Sequence, residues 1–338
     1  MATVWFCIMA LVVSVYAILD GFDLGVGVLY LRIGRNNTER RTAASAIGPV
    51  WDGNEVWLIA TGGLLVLSFP RVYAAGFSGF YLPLIMVLWL LMGRGLALEW
   101  RANVDNSMWR DAADVIFSIC SILLALVFGV AVGNIIHGVP INPQGYYQGL
   151  FAWMLNPYAL LTGVFSLVIL TIHGANWLAL KTEGPVQARA RLVAFRLWPL
   201  LIVLTIVATI ATFAVRKEMG VNYRNYPFYF LAPAITLLML GMLWWFRRHN
   251  DDLRAFLSSA GLILSLGAST AIGLYPDLLP SRPHPERSLT VMNGASSPQA
   301  LLVGLIWLSI GLVIAAAHIS FVYYLFRGKV VLEEGGHY

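Results

Sequence analysis

Charge is what this 338-residue sequence has least of. Asp, Glu, Lys and Arg together make up 12% of it, against 59% hydrophobic residues and a mean hydropathy of +0.74. A soluble domain carries about 25% charged residues to hold a hydrated surface, so water is not the main solvent here and a separate soluble catalytic domain is excluded. Cysteine is nearly absent. Cys7 and Cys120 both lie in apolar runs, which argues against a disulfide framework or a zinc site, and no metal site is expected in this chain. Motifs for nucleotide binding or nucleophilic catalysis are missing as well. The net charge of +5 comes from basic residues in short loops between apolar runs, where they set topology, so no nucleic-acid partner is expected.

What the sequence does have is a succession of apolar runs long enough to cross a bilayer core of about 30 Å. They predict a single polytopic membrane domain over 1–338, with spans at 4–33, 52–70, 74–98, 113–136, 155–180, 192–215, 227–247, 254–275 and 300–326. The first run, Val4 to Leu31, has no basic residue before it and no small-residue cleavage pattern, and reads as a retained helix. The span 52–70 is short and contains Gly62 and Gly63. Nine spans put the termini on opposite sides. Counted loop by loop, one side carries 6 Lys and Arg and the other 13. The positive-inside bias makes the richer side cytoplasmic, with the N-terminus outside and the C-terminus inside. Trp100, Trp109, Trp153, Trp244 and Trp245 near span ends fit aromatic belts. The longest loops, 137–154 and 276–299, fall outside and are expected to form ordered caps rich in Pro, Gly and Asn.

Ionisable groups at bilayer depth are costly and tend to face a bundle interior. Asp20 and Asp23, three residues apart in the first span, share a helix face beside Gly21, Gly25 and Gly27. Two carboxylates so close in low dielectric do not both ionise easily, which suits a proton relay. Pairing of one of them with a basic group such as Arg94 would instead lock helices together. Asp52 and Glu55 open the second span, and their spacing matches a capping box. They could equally collect protons from the cytoplasm for the Asp20 and Asp23 face. His173 and His318 lie within spans and could ligate a haem axially or bridge helices by hydrogen bonds. Asn134, Asn176 and Asp114 read as interhelical hydrogen-bonding groups. By residues alone the chain is a proton-handling subunit of a larger complex, a structural subunit, or a transporter with a midplane site at a helix broken by Gly62 and Gly63.

The stretch Leu19-Asp20-Gly21-Phe22-Asp23-Leu24-Gly25-Val26-Gly27, the loop Gly34-Arg35-Asn36-Asn37-Thr38-Glu39-Arg40-Arg41, and Trp51-Asp52-Gly53-Asn54-Glu55-Val56-Trp57-Leu58 resemble subunit II of the cytochrome bd-type quinol oxidases. The resemblance continues through Tyr73 to Tyr81, Gly133-Asn134, Gly138-Val139-Pro140, Leu155-Asn156-Pro157 and Asn293 to Ser297, and so spans essentially the whole chain. It implies an all-α integral membrane protein whose nine helices form two four-helix bundles plus one peripheral helix, in a prokaryotic plasma membrane. It also implies oxidation of membrane quinol coupled to reduction of dioxygen to water. An obligate partner, subunit I, would hold two b-type haems and one d-type haem. This chain would then bind no cofactor through ligands of its own, and the resemblance leaves room for a structural quinone and a small accessory subunit. Carried onto the motif, the proton-route residues are Asp52 and Asp20, with Asp23 and Glu55 beside them. The compact loop at 216–226 departs from longer members.

Overall fold

The computed structural model describes residues 1–331. Twelve helices follow in order: α1 (Ala2–Ile33), α2 (Asn37–Ser45), α3 (Trp51–Ser68), α4 (Pro70–Gly79), α5 (Tyr81–Asn103), α6 (Ser107–His137), α7 (Pro157–Lys181), α8 (Gly184–Val215), α9 (Val221–Asn225), α10 (Leu231–Arg248), α11 (Asp252–Leu274) and α12 (Pro298–Leu325). Among the described residues, eight helical segments are long and apolar enough to cross a membrane. Over the expected span 52–70 lies α3, which is not among these eight; its 18 residues reach roughly 27 Å at about 1.5 Å per residue. Asp52, Asn54 and Glu55 in its opening turns keep it less apolar than the rest.

Helix ends differ from the expected spans by up to eight residues, α6 starting at Ser107 rather than 113 and α8 at Gly184 rather than 192, and two spans are interrupted. The span 74–98 is divided, because residues 74–79 belong to α4 and a new helix starts at Tyr81 after Phe80 leaves helical geometry (φ −91°, ψ 20°). Pro83 is the reason. In an unbroken helix it would forfeit a backbone hydrogen bond and crowd the preceding turn, whereas a start at Tyr81 puts it in the first turn, where its missing N–H costs nothing. The span 227–247 likewise begins with a single 3-10 turn, Pro227–Phe230, before α10. Through Gly62 and Gly63, by contrast, α3 runs unbroken, which removes the broken-helix feature on which the transporter reading leaned.

α1 packs on α3 and α6, and α6 on α5, making one group of four helices. α7 packs on α8 and α11, and α10 on both α8 and α11, making a second. The groups join where α1 meets α7 and α11 and where α6 meets α7, and α12 lies outside them against α3. Small residues set the closest approach. A Cβ on Gly25 would overlap the Leu170 carbonyl and stand 2.8 Å from the Gly174 amide nitrogen, and one on Gly174 would overlap the Gly25 backbone. A Cβ on Gly27 would overlap Ser121 of α6. The backbones of α1 and α7 thus touch, as dispersion-driven packing in lipid favours.

The two ends of the bundles are built differently. At one end, residues 138–156 and 275–297 form an ordered cap with a short antiparallel pair, Asp277–Leu279 with Leu289–Thr290, and an ion pair of 2.5 Å between Arg216 and Asp277. The loop 216–226 is folded as a 3-10 turn, Lys217–Gly220, followed by α9. At the other end the arginines are tied to acids: Arg40 lies 3.0 Å from both Asp111 and Asp114, Arg101 pairs with Asp114, and Arg189 lies 2.6 Å from Glu39. The nearby Arg189 guanidinium holds the Glu39 carboxyl below its usual range. Asn176 bridges helices as expected, accepting from Arg247 at 3.1 Å, whereas Asn134 ties α6 to the cap, donating to Met154 O at 2.8 Å.

Replacing Gly25 with Leu is expected to destabilise the protein by about 3 kcal/mol, at the upper end of the overpacking range. Gly63→Ala, which meets nothing within 4 Å, should leave stability unchanged or slightly raised. Thermal unfolding of the purified protein checks this, and equal melting temperatures for the two variants would refute the α1–α7 contact.

Candidate functional site: a buried acid–arginine cluster

Asp20 and Asp23 sit on the inward face of α1 and are 0% and 1% exposed. They share that face because three residues make most of one helical turn. Asp20 accepts from Arg94 Nη2 of α5 at 2.6 Å, and the same nitrogen reaches Glu55 Oε2 of α3 at 3.3 Å. Arg94 is itself buried. The helix-locking pair weighed for Asp20 is therefore present, with a second carboxylate added to it.

Asp23 is held differently. Its Oδ2 accepts from Asn54 Nδ2 at 2.8 Å, Asn54 Nδ2 also reaches Leu19 O at 3.2 Å, and Asn54 Oδ1 accepts from the Tyr323 hydroxyl of α12 at 3.0 Å. The peripheral helix is thereby stitched to the centre of the first bundle. Tyr16 Oη, Asp20 Oδ2, Asp23 Oδ1 and Arg94 Nη1 are buried and make no hydrogen bond to the protein, so the cluster keeps unused donor and acceptor capacity. Three carboxyl groups face one guanidinium. An electroneutral cluster needs protons on two of the three, and a low-dielectric site strongly favours electroneutrality.

Asp52 and Glu55 do not form the predicted capping box. α3 begins at Trp51, its cap residue is Val50, and no side chain caps it. Asp52 is therefore inside the first turn, and it is exposed. The capping pattern occurs instead at α2, where Asn36 accepts from Glu39 N at 2.9 Å while Glu39 Oε2 accepts from Arg35 N at 2.7 Å. Freed from a capping role, Glu55 turns toward Arg94. The structure thus brings Asp20, Glu55 and Arg94 together and puts Asp23 beside them, whereas Asp52 stays at the rim one helical turn from Glu55. Sequence reasoning missed Asn54 and Tyr323 as cluster members. Asn54 stood inside a recognised motif, but Tyr323, 269 residues away in sequence, carried no local signal.

His173 has no ring nitrogen to spare, whereas His318 is exposed. His173 is fully buried, with Nδ1 2.7 Å from Ser259 Oγ, Nε2 3.0 Å from Ile18 O, and its ring stacked on Phe256 at 4.9 Å. Both ring nitrogens are used, so it bridges α7 to α1 and α11. His318 lies on the exposed side of α12, and among the described residues no three His, Cys, Asp or Glu side chains converge on a point.

Comparison with known proteins fits this geometry. The family model described as cytochrome bd terminal oxidase subunit II matches residues 1–326. The chain is 36% identical to a probable cytochrome oxidase subunit 2 of Haemophilus influenzae, covering 97% of this chain and 94% of that protein. It is 33% identical to cytochrome bd-I ubiquinol oxidase subunit 2 of Escherichia coli, with 98% and 95% covered, and 32% identical to cytochrome bd ubiquinol oxidase subunit 2 of Bacillus subtilis, with 98% and 97% covered. A chain from the solved structure of bd oxidase from Geobacillus thermodenitrificans shares the fold, with a TM-score of 0.78 at 17% identity over 96% of this chain and 98% of that one. With a buried ionic cluster at the centre of an all-helical membrane fold, and a match along nearly its whole length, this chain belongs to the cytochrome bd terminal oxidase subunit II family.

Proposed function

We propose that this chain carries protons from the cytoplasm into the oxidase and supports its assembly, without holding haem itself. Family membership makes it a multi-pass protein of the bacterial plasma membrane and one subunit of a quinol-oxidising oxidoreductase, assembled with subunit I and with haem in the complex. The finer assignment is ours: the two b-type haems and one d-type haem sit in subunit I, the chain crosses the membrane nine times, and the arginine-rich end, where α12 ends, is cytoplasmic.

The observation that carries the proton role is the arrangement of Glu55 and Asp20 on one guanidinium, 3.3 and 2.6 Å from Arg94 Nη2, with exposed Asp52 one turn before Glu55. A proton taken up on the Asp52 carboxylate passes to Glu55 on the same helix face and then to Asp20. Arg94 keeps one of the two inner carboxyl groups ionised and able to accept. A transfer between them leaves the charge of the cluster unchanged, so it avoids the cost of creating a new buried charge. Asp23, pinned by Asn54 and through it to Tyr323, is assigned the structural part. The quinol, a structural quinone and a small accessory subunit would be met by the assembled complex and have no site assigned on this chain.

Asp52→Asn is expected to leave the complex assembled with full haem content, because the residue is exposed and such changes alter stability by about 0.5 kcal/mol or less. Quinol-driven oxygen consumption should fall about tenfold, equivalent to a barrier raised by roughly 1.4 kcal/mol. Loss of haem with unchanged turnover per haem would instead make the role structural.

Arg94→Gln removes the only cation from the cluster and is expected to cost about 3–5 kcal/mol, as for a broken buried ion pair, so the complex should fail to accumulate. Arg94→Lys should restore accumulation in part. Haem content per membrane protein, read from reduced-minus-oxidised spectra, distinguishes these outcomes.

A further inference from the structure

Away from the acid cluster, the second bundle carries a cationic groove of about 460 Å³ at the arginine-rich end, between the start of α8 and the end of α10. Ala188, Arg191, Leu192 and Phe195 form one wall, and Arg247, Arg248 and Asn250 the other. The α8 residues follow the spacing of a single helix face. Asp252 fixes two of the guanidiniums: Arg191 Nε donates to it at 3.0 Å, and Arg247 also pairs with it. Arg247 is 5% exposed, and its Nε makes no hydrogen bond to the protein. Arg248 is exposed, its guanidinium lies 5.3 Å from the Trp244 ring, and it has no carboxylate partner among the described residues. The groove therefore holds three cations, two of them sharing Asp252 and the third unpaired.

The depth of these residues is informative. The apolar run of α10 ends at Arg247 and that of α8 at Arg196, little more than one turn beyond Arg191, so the guanidiniums of the groove stand where headgroups begin. Leu192 and Phe195, 45% and 46% exposed, continue the groove toward the hydrocarbon. A fixed cationic pocket with an apolar wall running away from it matches a ligand with an anionic head and a hydrocarbon tail. A soluble anion would have no use for the exposed Leu and Phe. Basic pockets between transmembrane helices on the positive side of a membrane are the expected sites for anionic lipid heads, and guanidinium forks suit phosphate oxygens.

We propose that this groove binds the phosphate of an anionic phospholipid, with Arg191, Arg247 and Arg248 on the head and Leu192 and Phe195 along an acyl chain. The site is independent of the proton route.

The test is native mass spectrometry of the delipidated complex titrated with dioleoylphosphatidylglycerol or dioleoylphosphatidylcholine. The wild-type complex should retain phosphatidylglycerol in preference to phosphatidylcholine. Arg248→Gln, an exposed change that leaves the Asp252 pairs in place, should weaken that binding roughly fivefold, the contribution expected of one basic residue near an anionic surface. Arg248→Lys should recover most of the loss. Arg327→Gln, the same charge change at the same end but outside the groove, should have no effect. Phe195→Ser should weaken phosphatidylglycerol while leaving the charge intact. Equal phosphatidylglycerol binding by wild type and Arg248→Gln would overturn the proposal. So would displacement of the lipid by inorganic phosphate at the lipid's own concentration, which would mark a site for free anions.

Discussion

A single buried guanidinium organises the first bundle. Arg94 comes from α5, yet both of its carboxylate partners lie on other helices, Asp20 on α1 and Glu55 on α3. A charge in that setting is tolerable only while its partners stay in place, since an isolated ion in low dielectric costs far more than the folded state can spare. The pairing therefore dictates which faces of α1, α3 and α5 look inward. From α3 the constraint passes through Asn54 to Tyr323 on α12, so even the helix outside the bundles takes its rotation from this cluster.

The second constraint is steric. α1 joins the second bundle at Gly25 and Gly174, where neither backbone leaves room for a Cβ. That crossing lies within one turn of Asp23. Close packing and buried charge thus occupy the same stretch of α1: the glycines let α7 seal one side of the helix while the acids face α3 and α5 on the other. A looser crossing would let water or lipid reach the carboxylates and dissolve the electrostatic arrangement that gives them a role.

The arginine-rich end follows a different rule. There the acids are fewer than the bases, and pairs such as Arg40 with Asp114 and Arg191 with Asp252 knit loops and helix ends without neutralising the surface. The residual positive charge is what the membrane leaflet and its anionic lipids meet. The opposite end uses backbone pairing and packing, with the Asp277–Leu279 and Leu289–Thr290 strands closing a cap that has few charges.

Much of this was legible in the residues themselves because its causes are local. Length and apolarity of a run decide whether it can span a bilayer, and charge in short loops biases orientation, so the helices, their approximate ends and the buried face of Asp20 and Asp23 could be read without coordinates. The WDGNE stretch showed where local reasoning stops. Its spacing looked like a cap, but α3 starts one residue before Asp52, a choice made by how the preceding turns pack, and that registration turned Glu55 toward Arg94. The break at Phe80 was visible in principle through Pro83, yet its consequence depended on where the helix could restart. Tyr323 had no signal at all, because a hydrogen bond across 269 residues of sequence exists only once α12 has docked on α3. Sequence by itself determined which segments enter the membrane and which charged groups go with them, since transfer from water to lipid acts on each segment separately. Only the tertiary structure decided which of those groups share a cation or a hydrogen bond, because that is a matter of helix rotation and register set jointly by all the helices.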